Sequence, residues 1–175
     1  DGLMPSVLSG PVLDFLMPKI TLLGNGGAIW ILAALILLCT KKYRRQGVLL
    51  LVGLIAGVLV GNACLKNLIA RPRPCWLDSS VQLLIANPAD YSFPSGHTLS
   101  SVIGATGLTK TNRRFGYAAI PLAALIAFSR LYLYVHFPSD VLAAAVLGVA
   151  LGELVWRCGG KLLERWHAPR GRQRA

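Results

Sequence analysis

The stretch Ser92-Phe93-Pro94-Ser95-Gly96-His97 places a helix-start signal directly beside an ionisable imidazole. Pro94 sets the approach, Ser95 is of the type that caps a helix N-terminus, and Gly96 leaves room for a group to approach the backbone of the helix opening near His97. The unpaired N–H groups and positive dipole end of such a helix favour phosphate, with His97 in reach of the atom the phosphate leaves. Taken alone, the same residues also make an ordinary loop-to-helix turn with an exposed histidine. A second constellation lies in the run from Ser129 and Arg130 to His136, Pro138 and Asp140. A helix break at Pro138 lets the Asp140 carboxylate fold back onto an imidazole nitrogen of His136, fixing the tautomer and making the other nitrogen the better nucleophile. By themselves, a histidine and a carboxylate such as His136 and Asp140 are more often structural.

Composition says what kind of chain holds these residues. Of 175 residues, 54% are hydrophobic and 14% charged, and the mean hydropathy is +0.57, too apolar for a soluble domain of this size. The chain reads as an all-α, multi-pass membrane bundle forming one domain over residues 1–175. The net charge of +11 would suit a nucleic-acid binder only if a soluble fold carried a basic face, and none is visible.

Asp1 suggests a processed start, and no signal peptide is apparent. Residues 3–18 are apolar but carry Pro5, Pro11, Asp14 and Pro18, a pattern suited to an interfacial helix. Five spans are expected: 20–40, loosened by Gly24-Asn25-Gly26-Gly27; 47–65; a short one from His97 towards Thr109, extended into 110–114 and enclosed by its neighbours; 115–135; and 138–158. Gly53, Gly57 and Gly61 recur every four positions and invite a close helix neighbour. Arg71-Pro72-Arg73-Pro74 ends the second span, and the loop 75–93 carries an apolar patch, Val81 to Ala86, expected to pack on the bundle. Asn62 is expected to bridge helices, Glu153 to pair with a basic neighbour, and Trp30 is one of several aromatics that could anchor at an interface. The cysteines at 39, 64, 75 and 158 show neither metal-ligand spacing nor a disulfide framework.

Of the 18 Lys and Arg residues, 13 fall in the 41–45 and 110–114 loops and the tail from Arg157, which makes that face cytoplasmic. The other five are Lys19, Lys66, Arg71, Arg73 and Arg130. All but Lys19 cluster at the outer ends of spans, on the side normally depleted of positive charge, and so point to a site for something anionic.

Lys66, six residues, Arg73-Pro74; Pro94-Ser95-Gly96-His97; and Ser129-Arg130, five residues, His136, three residues, Asp140: together these resemble the three-part signature of the type 2 phosphatidic acid phosphatase superfamily. The match spans residues 66–140 with the family's internal spacing. The third helix is short, and an N-terminal span found in many members is not apparent. The resemblance implies that His136 attacks phosphorus to form a phosphohistidine, that Asp140 orients it, and that His97 protonates the leaving oxygen and later activates water. It implies too that Lys66, Arg73, Arg130, the Ser95 hydroxyl and the backbone around Gly96 hold the phosphate. Arg71 is left as a peripheral or headgroup contact. No metal and no cofactor is expected, since three cations and a helix terminus supply the charge. The expected partner is a lipid phosphate or diphosphate met at the extracytoplasmic face of the cell membrane. Undecaprenyl diphosphate is favoured, with phosphatidate and phosphatidylglycerol phosphate next; a non-catalytic lipid-phosphate binding or transport protein is the alternative.

Overall fold

The computed structural model describes residues 10–167, with side chains up to 161. Asp1, the first part of the expected interfacial helix, and the tail side chains Arg165, Trp166, Arg170, Arg172 and Arg174 lie outside the described residues. Within them the chain is helical, without strands. Helix α1 spans Pro11–Leu23 and α2 Ala28–Cys39. Helix α3, Arg44–Gly57, runs on through a π-helical stretch, Val58–Leu65, into α4, Lys66–Ile69. A short α5, Pro74–Leu77, precedes the loop that leads to α6, Gly96–Thr111, followed by α7, Arg113–Tyr132, and α8, Pro138–His167.

Helix α6 is the axis of the bundle. Its 16 residues reach about 24 Å at 1.5 Å per residue, short of a bilayer core of about 30 Å. Its Leu99, Ile103, Gly104, Ala105 and Gly107 are all buried by the helices around it. Small residues make that enclosure possible: Gly53 and Gly57 of α3 abut Ile103, Gly61 abuts Leu99, and Gly148 and Gly152 of α8 abut Val102 and Thr106. Trp30 of α2 lies over Gly104 and donates its indole N–H to Ser101 Oγ at 3.0 Å. At 1% exposure it is a core residue and not an interface anchor, because α6 offers it both a gap and an acceptor.

Among the described residues three helical stretches are long and apolar enough to cross a membrane, and α1 with α2, bent by 44°, makes a fourth if the pair is one span. The first break differs from expectation. Helix α1 continues past Pro18 to Leu23, and the chain turns instead at residues 24–27, where Gly26 and Gly27 take left-handed φ of 58° and 73°. Helix α1 docks on α7 through Tyr132 donating to Asp14 and Arg130 donating to Thr21, both at 2.5 Å. Likewise α6 stops at Thr111 instead of running through 114, since Asn112 accepts from the Arg114 N–H and caps α7.

Asn112 also donates to the Tyr43 hydroxyl, and Tyr43 packs edge-on to Phe115, which brings the two basic loops to one end of the bundle. Glu153 pairs with Lys110 at 2.7 Å and Arg157 at 3.3 Å, as expected. In the 75–93 loop, Leu83 and Ile85 pack on a second apolar cluster of Met17, Cys75, Leu133 and Val135, so the patch does cover the bundle. The four cysteines are free.

Candidate active site

Two helix starts and one helix end meet opposite the basic loops. At α8, Pro138 occupies a first-turn position where its missing N–H costs nothing, and Asp140 accepts from the Phe137 N–H at 3.0 Å, as a first-turn carboxylate does in a capping box. That fold-back buries Asp140 completely and holds His136 in the connector between α7 and α8, at 4% exposure.

The expected contact between the two is indirect. Asp140 Oδ2 stands 3.7 Å from His136 Nδ1, beyond hydrogen-bond length. Ser92 fills the gap, with Oγ 3.4 Å from Nδ1 and its hydroxyl donating to Asp140 Oδ2. On the far edge of the ring Arg73 Nη1 lies 3.2 Å from Nε2. Guanidinium can only donate, so Nε2 carries the lone pair and Nδ1 the proton. Burial, with Arg73 and Arg130 close by, holds the His136 pKa down to about 4 against the upward pull of Asp140, so the ring is neutral near pH 7.

The cations arrive from separate elements. The π-helical stretch carries an extra residue per turn, and Lys66 follows it directly, buried to 6% exposure. Arg73, at 2% exposure, donates to Val135 O at 2.7 Å and to Asp90 O and Oδ1 at 2.6 Å each. Lys66 donates to the other oxygen of Asp90, which thus bridges two of the expected phosphate ligands. Arg130 leaves α7 at 3% exposure; its Nη1 donates to Thr21, while its buried Nε has no partner among the described residues. Asp90 itself is held ionised: despite partial burial, Lys66 and Arg73 draw its pKa from 3.8 to about 2.

Arg71 does not line the cavity, but it is tied to the site through Asp140. Its Nη1 donates to Asp140 Oδ1 and to Ser139 Oγ, each at 2.7 Å, and its guanidinium lies 4.0 Å from the Phe137 ring centre. It therefore props the carboxylate that props His136. Four cations and two carboxylates leave the site at net +2, suited to a phosphate dianion.

Ser95 is the N-cap of α6, as expected, accepting from Thr98 N at 3.4 Å and Thr98 Oγ1 at 3.0 Å. It is fully buried and does not line the cavity, whereas Gly96 and His97 do. His97 has its Nε2 2.8 Å from Asn25 Oδ1. Among the described residues Asn62 makes no hydrogen bond to another helix; it faces Gly96, where an added Cβ would stand 3.0 Å from its Oδ1. The cavity, about 600 Å³, has a polar end formed by Lys66, Arg73, Asp90, His97, Arg130 and His136, and an apolar wall of Ile31, Leu51, Leu54, Ile55, Val58 and Leu59.

Asn25, Arg71, Asp90 and Ser92 thus join the residues anticipated from sequence. Ser92 and Asn25 stood inside stretches already singled out. Asp90 is one of only seven acidic residues in the chain, and it lies between the first and second motifs.

A family model described as the PAP2 superfamily matches residues 46–164. The chain belongs to this superfamily. The PAP2 match takes in all three motifs and runs from the first turn of α3 into the last turn of α8. Among named relatives, an undecaprenyl-diphosphatase of Sulfolobus acidocaldarius is 35% identical over 69% of this chain and 58% of its own. The undecaprenyl-diphosphatase BcrC of Bacillus subtilis is 31% identical over 83% of this chain and 75% of its own. The present chain thus spans little more than half the length of the archaeal relative. Among solved structures, LpxE of Aquifex aeolicus superposes with a TM-score of 0.75 at 28% identity, over 86% of this chain and 88% of that one. A PAP2-type phosphatidylglycerolphosphate phosphatase from Bacillus subtilis follows at 0.69 and 28%, over 95% and 83%. This last structure is described as transmembrane, and with the apolar helices it makes this chain a multi-pass membrane protein.

Proposed function

We propose that this PAP2 chain is a lipid phosphatase that works through a phosphohistidine on His136. The observation that carries the reading is the convergence of a neutral, buried imidazole with Lys66, Arg73 and Arg130, the last with a buried Nε that lacks an acceptor among the described residues. A buried N–H of this kind costs about 1–3 kcal/mol until an acceptor arrives, and a phosphate oxygen supplies one.

In the first step His136 Nε2 attacks phosphorus as the P–O bond to the leaving group breaks and His97 gives that oxygen a proton. In the second, His97 takes a proton from water as its oxygen attacks phosphorus and the P–N bond breaks. Asp140, through Ser92, keeps the Nδ1 proton in place. Lys66, Arg73, Arg130 and the N–H groups at the start of α6 meet the charge on the equatorial oxygens, so no metal is assigned a step.

The apolar wall beside the polar end suits a lipid tail, and the two undecaprenyl-diphosphatase relatives favour a polyprenyl diphosphate over phosphatidate or phosphatidylglycerol phosphate. The site lies at the end opposite the basic loops, which the positive-inside rule assigns to the extracytoplasmic face of the cell membrane. Purified protein in detergent, given each lipid with excess chelator present, tests the reading. Phosphate release lost in His136→Ala, and a base-stable, acid-labile phosphoprotein trapped in the parent chain, are expected. Lipid binding without release would make the chain a binding protein instead.

A further inference from the structure

We propose that Asn25 is a positioning residue for His97, and that the turn 24–27 exists to hold that ring in one tautomer. This rests on the acid and base role given to His97 above. Asn25 Oδ1 stands 2.8 Å from Nε2, and a carbonyl oxygen can only accept. The Nε2 nitrogen therefore keeps its proton, and Nδ1 is the nitrogen that exchanges one: the imidazolium hands its Nδ1 proton to the leaving oxygen, and the neutral Nε2–H ring so formed takes one back from water at Nδ1.

The rest of the turn fits the same ring. At Gly24 an added Cβ would come within 2.8 Å of His97 Cδ2 and of Ile126 Cγ2, so only glycine lets the backbone lie this close to the imidazole edge. Gly27 rests on Ser100, whose hydroxyl donates to the His97 carbonyl at 3.1 Å. The left-handed φ at Gly26 and Gly27 turns the chain so that Asn25 reaches the ring from outside. Gly24, Gly26, Gly27 and His97 line the cavity and Asn25 does not, which places its action on the histidine and not on the substrate. Arg130, His136, Lys66 and Arg73 are the charged and titratable groups around the ring, and none of them is hydrogen-bonded to it. Asn25 is thus its one side-chain partner among the described residues, in the way Ser92 and Asp140 serve His136.

Two measurements test this. In ¹⁵N NMR of histidine-labelled protein in detergent, with His97→Gln for assignment, the neutral His97 ring is expected as the Nε2–H tautomer. Asn25→Ala should give a tautomer mixture, and Asn25→Asp, which keeps an acceptor, should not. An Nδ1–H ring in the parent chain, or a ring unchanged in Asn25→Ala, overturns the proposal. In kinetics, Asn25→Ala is expected to lower kcat about 10-fold on a lipid phosphate monoester, below the ~10²–10⁴-fold typical of losing a general acid outright. It should spare p-nitrophenyl phosphate, whose oxygen leaves without a proton. Equal loss on both substrates, or a change in KM alone, overturns it. His97→Ala run in parallel separates the two readings. If that variant is indifferent to leaving group, the acid role of His97 fails, while the NMR result still decides whether Asn25 sets the ring.

Discussion

Asp140 and His136 do not touch: the carboxylate oxygen and Nδ1 are 3.7 Å apart, and Ser92 Oγ bridges them. Ser92→Ala would leave the Nδ1 proton without an acceptor and Asp140 short of a donor. A loss of about 10–100-fold in kcat is expected, the usual scale for removing an orienting partner, with Ser92→Thr retaining more. Steady-state kinetics on purified variants check it, and a Ser92→Ala enzyme with full kcat would mean that Asp140 reaches the ring unaided.

Asp90 bridges Lys66 and Arg73, where a phosphate would also bind. Asp90→Asn raises the site from net +2 to +3, so inorganic phosphate should inhibit about 10-fold more tightly, roughly 1.4 kcal/mol. Unchanged or weaker inhibition would show that Asp90 organises the cations more than it competes for them. With its pKa drawn from 3.8 to about 2, the carboxylate contributes stability above pH 3.8 that is lost as pH falls through about 2.

The His136 ring is expected to stay neutral in an NMR titration down to about pH 5 and to protonate near pH 4. Because Asp140 pulls this value up, Asp140→Asn should lower it further. The unfolded chain takes the same proton near pH 6.5. The folded state therefore loses stability as pH falls from 6.5 towards 4, and keeps it in full above 6.5. A ring titrating at 6.5 in the folded protein would show that burial does not govern it.

A Cβ at Gly57 would stand 2.7 Å from Ile103 Cδ1, on the seam between α3 and α6. Gly57→Val should destabilise by about 1–3 kcal/mol, read as a lower Tm in detergent. Gly160→Ala is the control, since no atom of the described residues lies within 4 Å of its added Cβ. Equal melting of the two variants would refute tight packing at that seam.

Topology is open to cysteine labelling in a background freed of the four native cysteines. A cysteine at Ser80 should react with an impermeant reagent from outside the cell, and one at Lys42 only after the membrane is opened. Labelling of Ser80 from the cytoplasmic side alone would reverse the orientation.

The helical membrane class was legible in the residues alone, because hydropathy and charge placement act along the chain, and so were the three motifs, because each is local: a cap, a glycine and a histidine within a turn, or a carboxylate four residues beyond an imidazole. The Gly53, Gly57 and Gly61 seam was legible too, but not the partners it admits. It took the packed helices to put Ser92 between His136 and Asp140, to set the Arg71 guanidinium on Asp140, to join Lys66 to Arg73 through Asp90, and to bring Asn25 to His97 across 72 positions of chain. Such pairings depend on where helix breaks fall and on the register of packed helices. A break moved from Pro18 to Gly24, or one π-helical stretch before Lys66, rotates a side chain onto another face, and no local pattern records which face that will be.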